Sequence, residues 1–164
     1  MRLATLATFA LAGCAAAPAY EPAAGAPQAS VTLQREGFKV MVLEFFTNGA
    51  NCTDKRVLPA GSDFWDGKPV RIEAGREVAF GMATIIDTTI TGPVAVNTTC
   101  ATQILSFIPE ANANYRVKYH ANLAEKICRT ALVRLGADGR ETAEPTARWR
   151  QPLPAQGDAP RCAP

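Results

Sequence analysis

Residues 115–120 read Tyr115-Arg116-Val117-Lys118-Tyr119-His120, a strict alternation of apolar and polar side chains. Because successive side chains of a β-strand point to opposite faces, this pattern predicts a strand with one buried face and one face toward solvent. The next predicted strand runs from Ile127 to Leu135, and Asp138-Gly139 is a turn signal that follows it. This part of the chain therefore predicts consecutive antiparallel strands joined by short turns.

Segments of the same kind precede this region. Phe38 to Thr47 is apolar on both faces, which is typical of a central strand covered on each side, and Asn48-Gly49 ends it with a turn signal. No segment has a sustained helical period. The spacing of the strands predicts an all-β protein, an antiparallel β-sandwich of immunoglobulin-like or transthyretin-like arrangement. The other β-rich runs, each bounded by turn residues, are 55–58, 70–72, 77–86, 88–91 and 102–108.

The start of the chain has the three parts of an export signal. Met1-Arg2 is a short positive region, residues 3–11 are almost entirely apolar, and small residues precede Cys14. The apolar run is shorter than the roughly 20 residues that a membrane-spanning helix needs. The sequence Leu11-Ala12-Gly13-Cys14 resembles the lipobox of bacterial lipoproteins. The resemblance implies that residues 1–13 are removed and that the Cys14 thiol is lipidated; an ordinary secretory signal, cleaved near residues 15–17, is the alternative.

The resemblance also implies a location. Residue 15 is alanine, and in lipoproteins of Gram-negative bacteria a residue other than aspartate here resembles the default signal for the outer membrane, facing the periplasm. Residues 14–30 contain three prolines and mostly small residues, so they are predicted to form a flexible tether. Residues 31–164 are then the β-sandwich domain, with a Pro-rich C-terminal tail.

The cysteine count is consistent with export. Five cysteines minus Cys14 leave Cys52, Cys100, Cys128 and Cys162, an even number that predicts disulfides in an oxidising compartment. Four cysteines allow three pairings, and the sequence does not choose between them. Cys52–Cys100 with Cys128–Cys162 is the preferred hypothesis, because the second bridge would hold the Pro-rich tail in place. No C-x-x-C spacing is present, so neither a metal nor a cofactor is predicted.

Little in the sequence indicates catalysis. The formal net charge of +2 gives no reason to expect a nucleic-acid partner. The single histidine, His120, is on the polar face of its predicted strand and is interpreted as facing solvent, and no serine lies in a G-x-S-x-G context. No catalytic residue is predicted. The alternative is an enzyme acting on envelope glycans or peptides with Asp63 and Asp66, which flank Phe64-Trp65, and with His120.

These features predict a non-catalytic binding or structural module, attached to the membrane through the lipid on Cys14. Its expected partner is another envelope protein or peptidoglycan, and Phe64 with Trp65 is the predicted contact loop. An inhibitor or immunity protein of an envelope hydrolase would have the same fold and is a further alternative. Phe107-Ile108-Pro109-Glu110-Ala111, Tyr115-Arg116-Val117 and Cys128 are together similar to a pattern in small envelope lipoproteins of unknown role, and this similarity implies no activity.

Overall fold

The computed structural model describes residues 17–37, 40–58, 67–91, 93–122, 124–125, 127–154, 156 and 159–163. Its strands form two five-stranded sheets, so the predicted all-β sandwich is confirmed. No helix long and apolar enough to span a membrane occurs among these residues. The strands are β1 Gln28–Glu36, β2 Val40–Asn48, β3 Thr53–Arg56, β4 Val70–Glu73, β5 Val78–Thr91, β6 Val94–Phe107, β7 Asn114–Asn122, β8 Ile127–Leu135, β9 Glu141–Ala143 and β10 Arg148–Arg150.

The strand order is β4-β1-β7-β8-β9 in sheet 1 and β10-β6-β5-β2-β3 in sheet 2. The predicted antiparallel series after residue 114 is confirmed as β7, β8 and β9. Among the described residues, β1 and β7 form the one parallel pair, in register from Ser30 beside Asn114 to Glu36 beside His120. Between β1 and β7 the chain builds β2 and β3 of sheet 2, β4 of sheet 1, and then β5 and β6 of sheet 2. It then returns to sheet 1 beside β1 and runs in the same direction.

The alternation in β7 has the predicted consequence. Tyr115, Val117 and Tyr119 are fully buried, while the residues between them are partly exposed on the outer face of sheet 1. Aromatic rings of sheet 2 continue this core. The ring of Phe107 lies 5.0 Å from that of Tyr115 in an edge-to-face contact, and Phe80 lies next to Phe107. Such contacts add to the stabilisation that burial of the rings provides.

Strand β2 is covered on both faces where two phenylalanines follow one another. Phe45 and Phe46 are 1% and 0% exposed, and they point in opposite directions. Phe45 belongs to the core between the sheets. The predicted double coverage is therefore confirmed at this pair, although β5 and not β2 is the central strand of its sheet. The outer-face cluster around Phe46 consists of Phe46, Cys52, Ala79, Ile104 and Cys162.

The C-terminal tail forms the cover over Phe46. A disulfide joins Cys162 to Cys52 in the β2–β3 turn, with 5.4 Å between the Cα atoms. The tail folds back on itself, since the Leu153 N–H donates to the Arg161 carbonyl at 2.8 Å. The Arg161 N–H donates in turn to the Cys52 carbonyl at 3.2 Å. Disulfide and backbone hydrogen bonds together hold a proline-rich segment that has little core of its own.

The second disulfide connects the two sheets. Cys100 on β6 is bonded to Cys128 on β8, with 6.0 Å between the Cα atoms. Gln103 reinforces this link, because its side-chain nitrogen donates to the Cys128 carbonyl at 3.0 Å and its oxygen accepts from the Thr130 hydroxyl at 2.6 Å. The predicted stapling by disulfides is thus confirmed.

The preferred pairing of Cys52 with Cys100 and Cys128 with Cys162 is wrong. Cys52 belongs to the cluster on the outer face of sheet 2, whereas Cys100 belongs to the core between the sheets. Side chains on opposite faces of one sheet do not meet, so these two cysteines have different partners. Cys162 does hold the tail, as expected, but it does so on the β2–β3 turn.

The prediction of a flexible tether over residues 14–30 is wrong for its described part, because the chain is already folded from Pro18. Tyr20 is 4% exposed, its ring lies 4.8 Å from that of Phe45, and its hydroxyl oxygen accepts the Glu73 N–H at 2.8 Å. Gln28 begins β1. The domain therefore starts before residue 31, and one buried aromatic side chain fixes a segment whose average composition indicates a disordered linker.

Tyr20 offers a direct stability test. We expect Tyr20→Ala to lower the free energy of unfolding by about 3–5 kcal/mol, because it leaves a cavity against Phe45. Tyr20→Phe should lower it by only about 1 kcal/mol, since it removes the hydrogen bond alone. Urea denaturation measures both. Glu21→Ala, at the exposed neighbouring position, is the control. An unchanged stability of Tyr20→Ala would mean that the segment before β1 is not packed on the sandwich.

Removal of the two disulfides should lower the free energy of unfolding by different amounts. In the chain-entropy account, loss of Cys52–Cys162, which closes a separation of 110 residues, costs about 4–5 kcal/mol. Loss of Cys100–Cys128, with a separation of 28 residues, costs about 3–4 kcal/mol. The double serine variants measure these values in urea. Non-reducing peptide mapping identifies the bridges themselves, and a peptide linking Cys52 to Cys100 would contradict the structure.

Candidate functional site

A polar pocket lies where the N-terminal segment crosses from sheet 2 to sheet 1. Its volume is about 270 Å³, and a neighbouring hollow of about 420 Å³ shares Thr47, Asp54 and Arg76 with it. Strands β3 and β4 are edge strands of the two sheets, and the pocket takes side chains from the end of each. We call it the β3–β4 pocket. Its polar side chains are Tyr20, Glu21, Thr47, Asp54, Arg56, Glu73 and Arg76.

Asp54 has an unusual backbone conformation. Its φ is 55°, in the left-handed region, and Cys52 two residues earlier has a φ of 54°. Non-glycine residues adopt this region at a cost, and they persist there when surrounding contacts hold them. The disulfide holds Cys52. Asp54 is held by its side chain, which accepts a hydrogen bond from the Thr47 hydroxyl and forms an ion pair with Arg56 at 2.7 Å.

These contacts decide the protonation state of Asp54. The hydrogen bond from Thr47, followed by the interaction with Arg56, lowers the pKa of the Asp54 carboxyl below its ordinary value. The side chain is therefore ionised at neutral pH. A carboxylate of this kind is suited to accepting hydrogen bonds or attracting a cation, and it is poorly suited to donating a proton as a general acid.

A second ion pair forms the opposite wall of the pocket. Glu73 lies 3.2 Å from Arg76, and its Oε1 accepts the N–H of Ala23 at 2.7 Å. Burial raises the pKa of the Tyr20 hydroxyl, so this group is protonated at neutral pH. The lining thus offers two ion-paired carboxylates, a third carboxylate at Glu21, and two guanidinium groups. Such a surface fits a polar ligand that carries both hydrogen-bond donors and acceptors.

An acidic residue on β2 also has cationic partners. Glu44 lies on the outer face of sheet 2, where its carboxylate is 2.7 Å from Lys55 and 3.4 Å from Arg161. The pair with Arg161 connects β2 directly to the C-terminal tail. Glu44 is therefore a structural contact between the tail and the sheet, and it lies outside the lining of the β3–β4 pocket.

The site residues predicted from the sequence divide into two groups. His120 is on the outer face of sheet 1, half-exposed, with its Nδ1 3.3 Å from a Glu36 carboxylate oxygen. This confirms the interpretation that it faces solvent. Lipidation of Cys14, a contact loop at Phe64-Trp65 and an acid pair at Asp63 and Asp66 concern residues outside the described ranges. They stay predictions.

Sequence reasoning missed the β3–β4 pocket because its residues are spread over four segments with no shared motif. Tyr20, Thr47, Asp54 and Glu73 come together only through the pairing of β2 with β3 and the crossing of the N-terminal segment. In the part of the chain that the structure describes, no group of three or more His, Cys, Asp or Glu side chains is placed to hold a metal ion. No protein-family model matches this chain, and neither a curated protein nor a solved structure does.

Asp54 should make the stability of the domain depend on pH. Its pKa is lower in the folded state than in the unfolded state, so its stabilising contribution is present above the unfolded pKa of about 4 and is lost as the pH falls through the folded pKa. Asp54→Asn tolerates the left-handed conformation and removes the charge. We expect this variant to be less stable at pH 7 by at most about 1 kcal/mol, because solvent screens the half-exposed ion pair. The difference should shrink below about pH 4.

Thermal unfolding of both proteins between pH 7 and pH 2 measures this effect. Glu125→Gln removes an exposed carboxylate from the β7–β8 turn and is the control for a change in net charge alone. A stability difference between wild type and Asp54→Asn that stays constant across the acid range would exclude the proposed coupling to Thr47 and Arg56.

Proposed function

We propose that this chain is a cell-envelope lipoprotein with a non-catalytic β-sandwich. In this proposal residues 1–13 are removed, Cys14 is lipidated, and the domain is a binding or structural module held at the membrane. One observation carries the proposal. The four other cysteines form two disulfides, Cys52–Cys162 and Cys100–Cys128. Cys14 is therefore the one cysteine of the chain that these disulfides do not include.

Two arguments connect that observation to location. Disulfides form and persist in oxidising compartments such as the periplasm, which supports export of the chain. A single cysteine left over in an exported protein needs a chemical role, and it is the last residue of the sequence Leu11-Ala12-Gly13-Cys14. A lipid on its sulfur is such a role. Because residue 15 is alanine, we further propose the outer membrane, with the domain facing the periplasm.

The β3–β4 pocket supports a binding role. Its walls are fixed, since Tyr20 is anchored in the core and the β2–β3 turn is closed by a disulfide. Preorganised walls reduce the entropy lost when a ligand binds. The ionised Asp54 and the protonated Tyr20 favour binding over proton transfer. We propose another envelope protein or peptidoglycan as the partner, because each presents the mixed polar groups that this lining fits. An enzyme using Asp63 and Asp66 stays an untested alternative.

Substitution of Cys14 tests the anchor. We expect wild-type protein in the membrane fraction, where a clickable palmitate analogue labels it. Cys14→Ser should carry no such label and should not be held in the membrane fraction by a lipid. One acyl chain binds membranes reversibly and two or three hold firmly, so complete lipidation should resist salt and carbonate washing.

The matched control is the Cys52→Ser/Cys162→Ser variant, which changes two cysteines and keeps the lipobox. It should still carry the label. Palmitate labelling of Cys14→Ser, or an N-terminus of the wild-type protein at residue 15 or later, would overturn the proposed anchor.

A further inference from the structure

Strands β5 and β6 continue past the rest of sheet 2 as a two-stranded ribbon. Strand β2 accompanies β5 only as far as the pair of Val40 with Ile85. Beyond that pair, Asp87–Thr91 of β5 is paired with Val94–Thr98 of β6. Within the part of the chain that the structure describes, no third strand borders these two segments. We call the two segments together the ribbon.

The pairing within the ribbon is regular. Register shifts between β5 and β6 occur between Met82 and Thr84 and between Ile85 and Asp87, before the ribbon begins. From Asp87 onward each residue of β5 lies opposite one residue of β6. A two-stranded ribbon has marginal stability in water, and a further strand stabilises it. Its regular backbone is therefore suited to pairing with a strand from outside the domain.

The other free edges of the two sheets have features that discourage such pairing. Proteins protect edge strands by keeping them short and by placing charged side chains on them. Strands β3, β4, β9 and β10 have three or four residues each, and each contains at least one charged residue. Strand β3, for example, contains Asp54, Lys55 and Arg56. These four edges are therefore protected in the usual way.

The free edge of β6 has neither kind of protection. Strand β10 borders β6 only from Ile104 to Ser106, so among the described residues the edge from Val94 to Gln103 has no second neighbouring strand. Charged residues make up 20% of the chain, yet none occurs between Asp87 and Glu110. Proline is also absent from residues 94–103. A long edge without charge or proline is open to the addition of a strand.

We infer that this edge is the interface between two copies of the chain, with β6 of one copy antiparallel to β6 of the other. Twofold symmetry places the same segment on both sides of the interface, so a charged edge would face its own charge. The β6 edge meets this condition because it has no charge. The β5 edge of the ribbon includes Asp87 and meets it less well. The inference goes beyond the proposed function and does not depend on a lipid at Cys14.

The dissociation constant of the dimer tests the inference. All measurements use the Cys14→Ser chain, in which neither a lipid nor a disulfide at residue 14 can join two copies. We expect sedimentation equilibrium to show a monomer–dimer equilibrium. Asn97→Lys/Thr99→Lys should raise the dissociation constant at least about tenfold, because like charges then meet across the paired edges.

A matched variant places the same charge on the other strand of the ribbon. Thr88 lies beside Asn97 and Ile90 lies beside Ala95, and both residues are exposed. Thr88→Lys/Ile90→Lys should change the dissociation constant less than about threefold, because these lysines are one strand farther from the interface and salt screens them.

Hydrogen exchange locates the interface. Every second N–H group of an edge strand points away from its neighbour, so half of the amides in Val94–Thr99 should exchange rapidly in the monomer. Their exchange should become slower as the protein concentration rises, but not in Asn97→Lys/Thr99→Lys. Slow exchange of the β7 amides in both lysine variants verifies that they are folded. A wild-type β6 edge that stays monomeric at every concentration, a dimer that Asn97→Lys/Thr99→Lys leaves intact, or protection of this edge only by a different protein would overturn the inference.

Discussion

The structure depends on the burial of two consecutive phenylalanines that point to opposite faces of one strand. Phe45 fits the core between the sheets, but Phe46 needs a cover on the outer face of sheet 2. Each such ring stabilises the fold by roughly 1.5–3 kcal/mol when it leaves water. The chain covers Phe46 with its own C-terminus, which the Cys52–Cys162 disulfide and the Glu44–Arg161 contact hold in place. Part of the outer face of sheet 2 is therefore buried, in addition to the face toward sheet 1.

The N-terminal segment closes the other open part of the sandwich. Tyr20 fills the gap between the edge strands β3 and β4 by packing on Phe45 and accepting the Glu73 N–H. The same crossing forms the β3–β4 pocket. A single short segment thus completes the core, forms one wall of the candidate binding site and determines where the chain leaves the domain. These three roles are coupled, so a change in the segment is expected to affect all of them.

Sequence patterns predicted the fold well in strands where apolar and polar residues alternate. In β7 the period of two is complete, and the burial follows it residue by residue. β1 was missed, although Ala29, Val31 and Leu33 alternate in the same way, because the proline-rich stretch before it indicated a tether. The disulfide pairing and the pocket were out of reach for a different reason. They depend on which face of a sheet each residue occupies and on contacts between segments such as Tyr20 and Glu73, which no local pattern encodes.

The parallel pairing of β1 with β7 has a consequence for the order of folding. Ser30 and its partner Asn114 are 84 residues apart in the chain, whereas the β5–β6 and β7–β8 hairpins join neighbouring strands. Contacts between distant residues require the closure of long loops, and they slow folding. The hairpins are therefore expected to form early, and β1 pairs with β7 only after β7 has formed. Until then its exposed edge is a site for non-native strand pairing. A chain that is synthesised from its N-terminus is therefore most vulnerable to aggregation before residue 120 has appeared.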